Sequence, residues 1–72
     1  MKLKVGYLYR SRNKKIYQIL LKDKLRYESI NINDTTLGYY YFDSRGRYFD
    51  SPSPIDLIEE IGKIEDYPEY FL

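Results

Sequence analysis

The chain has no cysteine, no histidine and no tryptophan, and among its 72 residues only four glycines and three prolines. Without cysteine there is neither a disulfide nor a thiolate metal site to reinforce the fold, and without histidine the commonest general base and metal ligand is missing. No apolar run approaches the roughly 20 residues that span a bilayer, and Met1-Lys-Leu-Lys-Val-Gly6 is too short and too alternating for a secretion signal. The expectation is a cytoplasmic protein with no membrane partner, no cofactor and no metal. A chain of this length makes one small domain, 1–72, in the size range where folding removes only about 60% of the unfolded chain's surface from water. A deep catalytic cavity does not fit that size. The paired carboxylates Glu59-Glu60 and Glu65-Asp66 read as solvated surface, so the chain is expected not to be an enzyme.

What it has in abundance is tyrosine, ten residues, and a charge distribution that is even in total and uneven along the chain. Residues 1–30 carry nine Lys or Arg against Asp23 and Glu28, and residues 31–72 carry three against nine Asp or Glu. Such polarity gives either a basic face for phosphate-bearing ligands and an acidic face for basic partners, or strands of opposite charge paired side by side on one solvated surface.

Leu3, Val5, Tyr7 and Tyr9 alternate with more polar neighbours, the period-two pattern of a half-buried strand. Ser11-Arg-Asn-Lys-Lys15 is turn-forming, with Asn13 suited to a left-handed conformation, and Ile16–Leu21 resumes as a second strand, completing a hairpin. Arg26–Ile32 predicts a third strand with Tyr27, Ser29 and Asn31 on one side and Glu28, Ile30 and Ile32 on the other. Leu37–Phe42 is the fourth, composed of residue types that suit a pleated sheet. Asp43-Ser-Arg-Gly46 matches a type I turn that reverses the chain into a fifth strand, Arg47–Phe49.

Ser53 before Pro54, with Asp56 three residues on, reads as an N-cap and S-x-x-D capping box opening a helix over 54–61. Ile55, Leu57, Ile58 and Ile61 would face the core, Glu59 and Glu60 solvent, and Gly62 would end the helix. The acidic and aromatic tail, 65–72, is expected to dock, because Tyr67, Tyr70, Phe71 and Leu72 are costly to leave in water. The fold class expected is mainly β: a small five-stranded antiparallel SH3-like barrel, or a strongly bent sheet, with one short C-terminal helix. So small a core also favours a homo-oligomer.

Two runs, Gly6-Tyr-Leu-Tyr-Arg-Ser-Arg-Asn-Lys-Lys-Ile16 and Asp43-Ser-Arg-Gly-Arg-Tyr48 with Ser53-Pro-Ile-Asp-Leu-Ile58, resemble small proteins of uncertain role encoded by bacteriophages and prophages. Those carry a G-x-Y-x-[TS]-R hairpin and a [DN]-x-x-G-R-Y segment followed by S-P-x-D-L-[IV]. The likeness covers about half of the chain, and Asn13 and Lys14 stand where the pattern has a glycine. The resemblance implies a viral origin and a host-cytoplasm setting, and it carries no catalytic site.

Two constellations are candidates for function. In the fourth strand Tyr39 and Tyr41 share one face while Tyr40 and Phe42 share the other, so rings lie on both sides. With Arg45 and Arg47 beside them, Tyr39, Tyr40, Tyr41 and Phe42 form the expected surface for a host protein, to be occluded by a non-catalytic inhibitor of host defence. The alternative is a nucleotide or nucleic-acid site on the first hairpin, where Arg10, Arg12, Lys14, Lys15 and Arg26 would hold phosphate and Tyr7, Tyr9 and Tyr17 would stack on bases. An oligomer with that site would act as a sponge for a phosphate-bearing ligand.

Overall fold

The structure is a computed structural model and describes residues 1–71. Five antiparallel strands form one sheet: β1 (Tyr7–Ser11), β2 (Ile16–Asp23), β3 (Arg26–Asn31), β4 (Tyr39–Phe42) and β5 (Leu57–Lys63). Their spatial order is β4-β3-β2-β1-β5, a meander of four strands with the fifth returning to pair with the first. The sheet is mainly β and strongly bent, as expected, and it does not close into a barrel. Three register shifts bend it, one between β2 and β3 and two between β1 and β5. Curvature brings the two ends close: Leu57 N–H donates to Gly46 O at 2.8 Å, and Leu3 N–H donates to Ser44 O at 3.0 Å.

One face of the sheet is the core. Tyr9, Tyr17, Ile19, Tyr27, Phe42 and Leu57 cluster there with Leu3. The core is largely aromatic, with Tyr17 meeting Tyr40 and Phe42 edge to face at centroid distances of 5.3 and 5.4 Å. The segment between β4 and β5 crosses this face and covers it with Tyr48 and Ile55. Buried polar groups are satisfied: Ser29 Oγ donates to Tyr40 O at 3.0 Å, and Asn31 Oδ1 accepts from Asn33 N–H at 2.8 Å.

The turns follow the residues that form them. Gly46 N–H donates to Asp43 O at 3.0 Å, the Asp43 carboxylate accepts from the amides of Arg45 and Arg47, and Gly46 takes φ 87°. In the first hairpin Lys14, not Asn13, is the left-handed residue, with φ 68°. The Asn13 side chain instead accepts a hydrogen bond from Ser11 Oγ.

Two predicted elements are corrected. Arg47–Phe49 is not a strand: Tyr48 N–H donates to the Asp56 carboxylate at 3.0 Å, which turns the chain over the core instead of along β4. The helix over 54–61 is absent, and Leu57–Lys63 is the fifth strand. The capping box forms all the same, with Ile55 N–H donating to Ser53 Oγ at 3.2 Å and Ser53 N–H to Asp56 Oδ2 at 3.0 Å. It stabilises an isolated turn, because eight residues are too few to hold a helix without strong packing, whereas pairing with β1 supplies an interstrand ladder, broken at two bulges.

The tail docks through Tyr67. Its ring lies over Gly62, where an added Cβ would come within 2.7 Å of it, and its hydroxyl donates to Ile61 O at 3.0 Å. Tyr70 packs beside Tyr67, Phe71 is exposed, and Leu72 lies outside the described residues.

Candidate binding surface

The expected binding residues divide between the two sides of the sheet. Pairing of Ser29 with Tyr40 and Tyr27 with Phe42 aims Tyr40 and Phe42 into the core, where Phe42 is buried and Tyr40 packs on Tyr17 and Tyr48. Phe42 is closed to a partner, and Tyr40 is half-buried on the core side. Tyr39 and Tyr41 point to the opposite side, and Tyr39 is 60% exposed. Arg45 and Arg47 are exposed in the turn that follows β4.

The first hairpin does not assemble the nucleotide site expected of it. Tyr9 and Tyr17 are fully enclosed by the core, and Tyr7 packs against that same cluster. Their faces are unavailable to a base. Arg10 pairs with Glu59, while Arg12 donates to Ser53 O at 3.3 Å and lies 3.9 Å from Asp56. Lys14 and Lys15 are exposed at the turn without a ring beside them among the described residues. Arg26 alone of this group joins an aromatic surface, and it does so on β3 instead of the hairpin.

That surface is built by the β3–β4 register. Glu28 faces Tyr41 and Tyr27 faces Phe42, so Arg26 lies across from the start of the Asp43–Gly46 turn. Its guanidinium stacks on the Tyr41 ring, 4.5 Å from the centroid. Among the described residues Arg26 makes no ion pair, so its donor fork is open. Tyr48 and Phe49 complete a shallow cleft with Arg26 and Tyr41. Phe49 is 57% exposed, and its ring sits on Tyr48 at 4.6 Å. Sequence reasoning missed Tyr48 and Phe49 because it assigned them to a strand. Arg26 was singled out in the sequence for the first hairpin's phosphate site, and the Glu28–Tyr41 pairing that brings it onto the Tyr41 ring becomes visible only in the folded sheet.

The Tyr41 hydroxyl donates to Glu28 at 3.2 Å, and that bond raises its pKa above the ordinary phenol value. Burial raises Tyr17. Burial first, then the neighbouring Glu60 carboxylate, pushes Tyr9 up to about 12, against the opposing donation of Lys4 N–H to its oxygen at 2.8 Å. A second cleft, lined by Arg12, Pro52, Ser53 and Pro54, is wide and shallow, and its one cation is already engaged.

Among the described residues no group of three or more Asp or Glu side chains is placed to hold a metal ion, and no helix is long and apolar enough to cross a membrane. No protein-family model, curated protein or solved structure matches the chain.

Proposed function

We propose that the protein is a non-catalytic binding module that occludes a host macromolecule through the outward side of β4 and the cleft beside it. The observation that carries this reading is the grouping of Tyr41, Tyr48 and Phe49 around the unpaired Arg26 guanidinium, with Tyr39 exposed further along the same side of β4. Exposed tyrosines and arginine are the residue types that dominate protein–protein contact energies, since they bury a large area at small entropic cost and keep a polar group for orientation. The resemblance to small phage-encoded proteins supports a host factor, in the host cytoplasm, as the partner, and inhibition of host defence as the consequence.

The test is affinity capture from host lysate by the tagged protein. A stoichiometric protein partner is expected, retained by Tyr70→Ala and lost with Tyr39→Ala plus Tyr41→Ala. Both tyrosines face away from the core, so an unchanged circular dichroism spectrum is expected of the double variant. Capture that survives this double substitution counts against the reading.

A second reading, a sponge for a phosphate-bearing ligand, is favoured by one observation, the Arg26 guanidinium poised beside rings. It predicts a raised 260 to 280 nm absorbance ratio in the purified protein and binding that weakens steeply with salt.

A further inference from the structure

The two edges of the sheet are treated differently. At the β5 edge the Leu57 amide is paired to Gly46 O, and Ile61 O accepts from the Tyr67 hydroxyl. Two register shifts interrupt the strand, and Glu59, Glu60 and Lys63 place charges along it. These are the features that prevent an edge from accepting a foreign strand.

Within Tyr39–Phe42 the β4 edge has none of them, and pairing of Asp43 N–H with Arg47 O closes the edge just beyond it. Tyr39-Tyr40-Tyr41-Phe42 carries no charge and no proline, and pairs with β3 without a bulge. Peptide groups alternate in direction along a strand. Tyr40 O is on the β3 side, where Ser29 Oγ reaches it, and Asp43 N–H points away from β3 to Arg47 O. The N–H and C=O groups of Tyr39 and Tyr41 therefore point outward. Among the described residues no hydrogen bond outside the β3–β4 ladder reaches them.

The charge at the end of this edge selects an occupant. Arg26, Arg45 and Arg47 lie at or beside this end; of the carboxylates there, Asp43 is engaged by the turn amides, Glu28 by the Tyr41 hydroxyl, and Asp23, opposite Arg26 in the β2–β3 ladder, makes no ion pair with it among the described residues. A second copy's β4 would bring no carboxylate to Arg26. An acidic segment would, because a guanidinium forks onto a carboxylate with two parallel hydrogen bonds.

We propose that the partner adds an extended, acidic peptide segment to the open edge of β4, exchanging main-chain hydrogen bonds with Tyr39 and Tyr41 and placing an Asp or Glu side chain on Arg26. Strand addition divides the work of recognition: the ladder supplies affinity, and the alternate side chains entering the cleft supply specificity. The inference rests on the binding reading above and adds the partner's conformation and charge.

The test is selection of random dodecapeptides displayed on phage against the immobilised full-length chain, with amide hydrogen exchange followed on the labelled protein. Selected peptides are expected to carry Asp or Glu beside a proline-free run of four residues, and to slow exchange at the Tyr39 and Tyr41 amides at least tenfold. Methylating alternate backbone nitrogens of a selected peptide is expected to weaken binding at least tenfold. Arg26→Glu, or Arg45→Glu with Arg47→Glu should the first variant misfold, is expected to turn the selection toward Lys and Arg. Tolerance of methylation at every position overturns strand addition while leaving the binding surface intact. Selection of no peptide, selection without charge preference, or protection of Tyr39 and Tyr41 that grows with protein concentration alone overturns the proposal, the last in favour of a second copy.

Discussion

Gly46 is the residue on which the bend depends. It combines a φ of 87° with a close approach, so that an added Cβ would stand 3.0 Å from both Leu57 Cβ and Leu57 O. Gly46→Ala meets strain and overlap together and is expected to cost about 1–3 kcal/mol, read as a lower urea midpoint with an unchanged slope. This glycine was legible in the sequence as the fourth position of a type I turn, while its contact with Leu57 was not, because it joins segments paired only in the folded sheet. Tyr9 makes a pH prediction. Below pH 10 its phenol is neutral folded and unfolded; between pH 10 and about 12 only the unfolded chain releases the proton, so unfolding is favoured as pH rises through that window. Urea unfolding at pH 9, 10 and 11 is expected to show stability falling above pH 10, with a shallower fall in Tyr9→Phe. That variant is also less stable by about 1 kcal/mol at neutral pH, because Lys4 N–H loses its acceptor.

At the scale of elements, β5 shows why a strand can be written as a helix. Two bulges against β1 break the period-two alternation, so Leu57, Ile58, Glu59, Glu60 and Ile61 fall into a spacing that looks helical, and Ile58 is exposed instead of buried. The capping residues Ser53 and Asp56 were read correctly as a local motif, and the error lay in what followed it. β2, β3 and β4 were legible because their pairing keeps alternation over most of their length, with Tyr27, Ser29 and Asn31 buried on one side as the pattern requires. The candidate surface was half legible: Tyr39, Arg45 and Arg47 are exposed and Tyr41 is half-buried on the side of Tyr39, while Tyr40 and Phe42 pack on the core side and Phe49 was missed. The tail supplies an element-scale prediction. Tyr67→Ala uncovers Gly62 and removes the hydrogen bond to Ile61 O, and is expected to cost about 1 kcal/mol. Limited proteolysis should then cut between residues 64 and 71 faster than in the parent, while binding at the distant β4 edge is unchanged.

Across the whole molecule, the charge asymmetry between the halves resolves into cross-chain pairing. Arg10 with Glu59, Lys4 with Glu60 and Arg12 with Asp56 each join a cation from the first half to an anion from the second, and all three lie where β1 and the chain beside it meet β5 and its preceding turn. The two exposed pairs, Arg10 with Glu59 and Lys4 with Glu60, contribute about 0–1 kcal/mol each, so they select the pairing more than they stabilise it. Topology then orders the folding events. The β1–β4 meander is made of neighbours in sequence, whereas β5 must close a loop of more than 40 residues to reach β1, and that closure entropy precedes any gain from the contact. Contacts of β5 are therefore expected to form after the folding transition state and those of the meander within it. Leu57→Ala, a buried β5 residue, should destabilise by about 2 kcal/mol or more and act chiefly by accelerating unfolding. Ile19→Val, buried at the centre of the meander, should cost about 1 kcal/mol and act chiefly by slowing folding. Stopped-flow chevrons of the two variants decide it, and equal partition of both effects between the arms would mean that β5 docks as early as the hairpins.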